Sequence, residues 1–440
     1  MDHKRTMQRF IDKEWKKGLV IFAGLVLFHI SFSVLLSVIA RSAFLADLHN
    51  GQGIWNFAPD SVGYHKAALR LLDYLKDGDY GNWWASSTWW HVKWIALSYA
   101  VITPDPLSFA PVNGLTWAVS VVCVYKIVRQ LFPGHRHLAL LAGAIFGLWP
   151  SYLFQSTQLL KDPLYSMGIL TMVYGWVALL LGKRGIGFSI LVCFGVLLAH
   201  LNRTYILEAL VFLTLLATVF VLWRKRETLT HALLACVLVL GLYAYEHRAE
   251  ILLMFRPPPP PPTVVRPPVV KDPWRYEDWM PDWFESRIKA IINTRLGWAT
   301  SYPEAGSNID TDVRFYSVGD VVKYIPRALQ IGFLAPFPRH WFEEAKVAGG
   351  PSRVFAAIEM MVWYLLIPGF LYFIAGKGNP IQIRLWLLIY SGCLVLLTAL
   401  VVTNIGALYR MRFVYFLPIL IGGLEGWARF YARRFQKAAR

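Results

Sequence analysis

Charge is scarce in this chain: of 440 residues, 16% are Asp, Glu, Lys or Arg, and only 27 of those are acids. Cysteine is nearly absent as well, with four in the whole sequence, and Cys123, Cys193, Cys236 and Cys393 all fall inside apolar runs. Such placement argues against a disulfide framework or a thiolate metal site. CxxC, HExxH, Walker and GxGxxG patterns are missing, so the sequence implies neither a redox cofactor nor ATP. What it has in abundance is apolar and aromatic sequence, 56% and 15%, with a positive mean hydropathy of +0.44. The composition is that of an all-α polytopic membrane protein.

The basic N-terminus, residues 1–17, precedes an uncharged stretch from Leu19 to Ala40. That stretch is too long for a secretory leader and ends without a small-x-small site, so it reads as a retained first helix. Further apolar segments fall near 107–124, 138–154, 163–182, 186–200, 205–222, 231–252, 354–375, 384–402 and 413–428. Each is roughly long enough to cross ~30 Å of hydrocarbon, giving about ten crossings with both termini on one side. The N-terminus, the loops at 125–137, 182–185, 223–227 and 376–384, and the tail 429–440 hold 21 of the 44 Lys and Arg and four of the 27 acids. Their excess equals the whole net charge of +17. The basic balance is therefore a topology signal that places both termini in the cytoplasm, and a nucleic-acid partner loses its main support.

Two long stretches are expected on the outward side: 41–106, within the core region 18–255, and 256–352, ahead of the last helices at 353–428. In the first, the apolar stretch Val92 to Thr103 is too short to span and reads as interfacial or re-entrant. The second opens on six prolines, Pro257 to Pro262, a stiff polyproline spacer. Beyond it, Glu285 to Arg295 reads as a short helix and Val318 to Phe333 as an amphipathic one at the interface.

Four polar sets stand at the expected outward helix ends. In APDSVGYHKAA, Asp60 starts an amphipathic helical pattern and reads as its N-cap, a general base or, since the roles are compatible, both, with Tyr64 one turn on and His65 beside it. In QLLKDPLY, Lys161 and Asp162 are adjacent and Tyr165 follows one turn later; they are either a local interfacial pair or a functional one. HLNRTY contributes Arg203, and TNIGALYRMRF contributes Asn404, Arg410 and Arg412. Outward arginines run against the positive-inside preference. A phosphate would account for them, because guanidinium binds its oxygens bidentately, and interfacial anchoring is the alternative. Within the apolar segments the acids are few, chiefly Glu208, Glu359 and Glu425. A hydroxyl acceptor, a base and cations for a membrane-bound phosphate suffice for group transfer from a lipid phosphate.

The stretches APDSVGYHKAA, TPDPLSFAPVNGLTWAVSVVCVYKIVRQLFPGHRHLALLAGAIFGLWPSYLFQSTQLLKDPL and NIGALYRMRFVYFLPIL together resemble the glycosyltransferase C superfamily of membrane enzymes that use polyprenyl-phosphate sugars. The resemblance covers roughly residues 10 to 225 and, more loosely, the C-terminal hundred; the long second loop is similar to bacterial polysaccharide-assembly members. It implies a helical bundle in the bacterial cytoplasmic membrane with an outward active site, transferring a sugar with inversion from a polyprenyl-phosphate donor to a hydroxyl of a glycan or lipid-linked acceptor. By the same resemblance Asp60 would be the base or position the acceptor. Arg410, Arg412, Arg203 and Lys161 would hold the donor phosphate, and Tyr64, His65, Asp162, Tyr165 and Asn404 would contact substrate. Family members often carry two acids in the first loop, whereas Ser61 follows Asp60 here, which leaves a divalent metal in doubt; Asp310 and Asp312 are either its ligands or turn formers. Trp83, Trp84, Trp89 and Trp90 read as sugar-stacking residues or as an interfacial belt. A ligase or polymerase using lipid-linked oligosaccharide, or a non-catalytic glycan or lipid transporter, shares most of these features.

Overall fold

The computed structural model describes all residues except 1, 225, 250, 251, 253–273, 302, 304, 305, 342–348, 377, 439 and 440. The polyproline spacer lies outside the described residues. Among those described, the chain is helical, without a strand ladder. Eight helices are long and apolar enough to cross a membrane, or nine if one bent pair counts as a single span. The expectation of about ten includes α9 (Ile186–Asn202), an apolar helix that at 17 residues is shorter than the spans counted.

Helix α1 (Asp2–Ile39) is peripheral, with 17% of its apolar stretch buried; α8 (Asp162–Leu180) is central, with 89%. Around α8 stand α5 (Ala110–Leu131), α9 and α10 (Leu207–Arg224), and α11 (Leu229–Glu246) packs against α9 and α10. Because lipid tails are as apolar as leucine, helices in a bilayer gain little from burying apolar area against each other and rely on close packing at small residues. The α8–α9 hairpin does this: a Cβ on Gly168 would meet Ala199 N and Gly195 O at 2.8 Å. The pair α14 (Gly349–Ala375) and α17 (Leu417–Ala438), which are not neighbours in sequence, repeats the device, Gly426 lying against the Gly369 carbonyl. Between α5 and α8 the crossing is broken: α6 (Arg136–Gly147) and α7 (Pro150–Ser156) meet at 57° around Leu148 and Trp149. Pro150, with no N–H to donate and a ring that pushes its predecessor out of the helical region, starts the second piece.

The first long loop folds into α2 (Asp60–Lys76), α3 (Tyr80–Ala85) and α4 (Trp90–Val101), with Leu71, Leu72, Val92, Ile95 and Tyr99 forming a small core of their own. The second provides α12 (Asp282–Ser301) and α13 (Val318–Leu334), close to the expected short and amphipathic helices, although α12 is longer at both ends. Its turn at 307–309 pairs with the turn following α15 (Ile381–Val401), through Ile309 N to Thr403 O and Ile405 N to Ser307 O, both 2.8 Å. This pairing seats the seven-residue α16 (Ile405–Met411), whose N-cap is Asn404.

Candidate functional site

Asp60 is the first residue of α2, and the N-cap position belongs to Pro59, which makes no side-chain cap. The capping reading of Asp60 is thereby corrected: its Oδ2 accepts from Arg410 Nη2 at 2.8 Å, 350 residues away in sequence. Arg410 turns its Nε toward Asp162 Oδ2 at 3.5 Å, and Asp162 Oδ1 accepts from Arg203 Nη2 at 2.6 Å. Arg203 lies over the Tyr165 ring at 4.4 Å, and the Tyr165 and Tyr415 hydroxyls are 2.5 Å apart.

Local geometry explains the meeting. Helices α8 and α9 form an antiparallel hairpin of 19 and 17 residues, so the first residue of one, Asp162, lies beside Arg203, which follows the last residue of the other. Arg410, one residue from the end of α16, meets Asp162 as well, and the start of α2 brings Asp60 to Arg410.

Exposure grades the set. The side chains of Arg203 and Asp162 are 1% and 9% exposed and that of Arg410 is 10%, while Asp60 retains 35%. Burying ions costs several kcal/mol each unless they are paired and hydrogen-bonded, and the chain of alternating signs meets that requirement in part. Arg203 Nε and Nη1 are left without hydrogen-bond partners. Lys161 stands next to Asp162, and among the described residues its ammonium makes neither a hydrogen bond nor an ion pair; its contact is the face of Trp89, 4.3 Å from the ring centre. Burial, reinforced by Arg203 and Arg410 and opposed by Asp162 and Asp60, pushes the Lys161 amine down to about 8. Three cations against two carboxylates leave one excess positive charge at a partly open site, the condition for holding an anion.

Tyr64 borders the set: burial, then the Asp60 and Asp162 carboxylates, hold its phenol well above its usual range. Its ring packs edge-on against His91 at 4.4 Å, and burial, with Lys161 nearby, pushes His91 down to about 3.

Three expected residues do not join the set. Arg412, two positions after Arg410 in a helix and so on the other side of it, is fully buried and donates to the carbonyls of Ile331, Gly332 and Ala335. It neutralises the C-terminal end of α13, where unpaired carbonyls and the helix dipole favour a cation. Asn404 accepts from Ala407 N at 3.0 Å and donates to Asn308 at 3.1 Å, so it seats α16 instead of facing the charged set. His65 pairs with Tyr99 at 2.7 Å.

Asp310 is held by Arg327 and by Tyr324 at 2.9 Å, with a left-handed backbone φ of 50°, so the turn-forming reading fits it better than a metal ligand does. Among the described residues no three His, Cys, Asp or Glu side chains gather as a metal site would require. One residue the motifs did not single out for the site is Glu359, buried on α14, which accepts from Ser151 N at 2.6 Å and from the Tyr409 hydroxyl, bracing the neighbour of Arg410. Its one sequence signal is a carboxylate within an apolar span.

No family model, curated protein or solved structure matches this chain. The chain is an all-α polytopic membrane protein with a charged cluster at one end of its bundle.

Proposed function

We propose that this protein is a membrane glycosyltransferase of the glycosyltransferase C type, moving a sugar from a polyprenyl-phosphate donor to an acceptor hydroxyl. The observation that carries the reading is the Asp60–Arg410–Asp162–Arg203 chain with the uncommitted Lys161 beside it. It joins four separate sequence motifs at one partly open place. A transporter would favour such charges along a pathway through the bundle, whereas these gather at one end of it.

In the reaction, the acceptor oxygen attacks the anomeric carbon from the side opposite the phosphate. The new C–O bond forms as the bond from that carbon to the phosphate oxygen breaks, which inverts the centre. The electron pair leaves with the polyprenyl phosphate, whose growing charge Lys161 and Arg410 stabilise. Asp60 takes the acceptor proton: its Oδ2 is engaged by Arg410, while among the described residues Oδ1 has no hydrogen bond. Asp162 holds Arg410 in place, Arg203 holds Asp162, and the Tyr165–Tyr415 pair supports Arg203.

The test is transfer from radiolabelled polyprenyl-phosphate sugars in membranes containing the parent chain, Asp60→Asn or Arg410→Ala. Product from the parent and loss in both variants supports the reading. Full turnover by Asp60→Asn removes the base assignment. Absence of product with every such donor, together with binding of a lipid-linked glycan, favours an oligosaccharide ligase or an assembly subunit.

A further inference from the structure

The tryptophans of the first loop divide into two groups with different surroundings. Trp83, Trp84 and Trp90 gather around Lys93, whose ammonium lies 5.6, 5.9 and 4.8 Å from the three ring centres and donates to the Trp84 carbonyl at 2.7 Å. Trp84 and Trp90 also pack edge to face at 5.3 Å. That group is complete in itself. Trp89 does not belong to it. It holds the N-cap position of α4 in an extended backbone conformation, φ −53° and ψ 140°, whereas Trp90 is already helical, so the two adjacent indoles diverge.

Among the described residues Trp89 joins no ring pair, and 45% of it is exposed. Among the described residues its one ring contact is the Lys161 ammonium at 4.3 Å, which in turn makes no hydrogen bond or direct ion pair there. An exposed indole and an ammonium that makes no direct ion pair among the described residues have thus paired with each other at the edge of the charged site. The attraction between an ammonium and a ring face is modest where solvent reaches, about 0.5–1 kcal/mol, and a phosphate oxygen offers the ammonium a stronger, charge-assisted hydrogen bond.

Resting on the donor reading above, we propose that Trp89 and Lys161 form a two-part subsite for a phosphate-linked sugar. The phosphate takes the Lys161 ammonium, and the indole face it vacates takes the pyranose ring. The sugar is bonded directly to the phosphate, so a phosphate on Lys161 brings the ring within reach of that indole. The apolar face of a pyranose presents C–H groups whose slight positive charge suits the negative face of the indole. Trp89 is then the residue by which the site distinguishes a glycosylated lipid phosphate from a bare one.

The test uses the full chain in lipid nanodiscs and two probes, a short-chain prenyl phosphate and the same prenyl phosphate carrying a hexopyranose, with affinities measured by calorimetry. Trp89→Ala is expected to weaken the sugar-bearing probe by about fivefold or more while leaving the bare phosphate within about twofold, and Trp89→Phe to restore most of the difference. Lys161→Gln is expected to weaken both probes. Equal changes for the two probes in Trp89→Ala, or none, overturn the subsite and leave the donor reading standing. Failure of the parent chain to bind either probe overturns both.

Discussion

Asp60 and Asp162 belong to one ion-pair chain, yet their burial predicts opposite consequences for the same substitution. The Asp162 side chain is 9% exposed and sits between Arg203 and Arg410 at 2.6 and 3.5 Å. Asp162→Asn leaves two buried guanidiniums facing one neutral amide, and removing one partner of a buried pair typically costs about 3–5 kcal/mol. Asp60, at 35% exposed, pairs with Arg410 at the rim, and its loss leaves Arg410 still beside Asp162. Water screens such a pair, so Asp60→Asn should cost about 1 kcal/mol or less. The amide can also still accept the Arg410 hydrogen bond.

Thermal unfolding in mild detergent should therefore show Asp162→Asn melting clearly below the parent chain and Asp60→Asn close to it. Turnover should follow a different order. Asp60→Asn, folded but without its base, should lose roughly 10²–10⁴-fold in transfer rate. Equal destabilisation of the two variants would refute the assignment of a structural role to one carboxylate and a chemical role to the other. A stable Asp162→Asn chain would refute it too.

Three further outcomes follow from the geometry. If the proposed donor phosphate is held by charged Lys161, then with its amine lowered to about 8, binding should be full below that pH and fall as pH rises through it, and Lys161→Arg should carry binding to higher pH in a titration of prenyl-phosphate affinity. Arg412→Met should leave the α13 carbonyls of Ile331, Gly332 and Ala335 without their buried donor and lower the yield of folded protein, by about 2–3 kcal/mol of stability, whereas loss of Arg410 should appear first in donor affinity. Gly195→Val should force α8 and α9 apart, since even a Cβ there meets Gly168 O and Met172 N at 2.5 Å; size-exclusion profiles and melting temperature should both deteriorate.

The membrane class, the positions of most spans and the helices of the two long loops are legible in the sequence because hydrocarbon thickness and helix rise convert length and apolarity directly into structure. The four polar sets are legible for the same reason: charge at a span end is rare enough to notice. Local pattern did not decide what each residue touches. Asp60 looks like a helix cap because caps are written in neighbouring residues, whereas its actual partner is 350 positions away. Arg410 and Arg412 look equivalent, yet two steps along a helix turn a side chain to nearly the opposite side, so one reaches Asp60 and the other reaches the end of α13. Trp89 and Trp90 separate likewise at a helix start.

By itself, then, the sequence determined that this chain crosses a membrane many times and sets carboxylates, arginines and a lysine at the ends of its spans. Only the tertiary structure decided which of them meet: Asp60, Lys161, Asp162, Arg203 and Arg410 converge, while Arg412, Asn404 and His65 pair elsewhere. The physical reason is that the spacing of apolar residues is a property of each helix alone. The partner of a charged side chain depends on how separate helices pack, at glycine contacts and at the seat of α16, and those contacts join residues far apart in the chain.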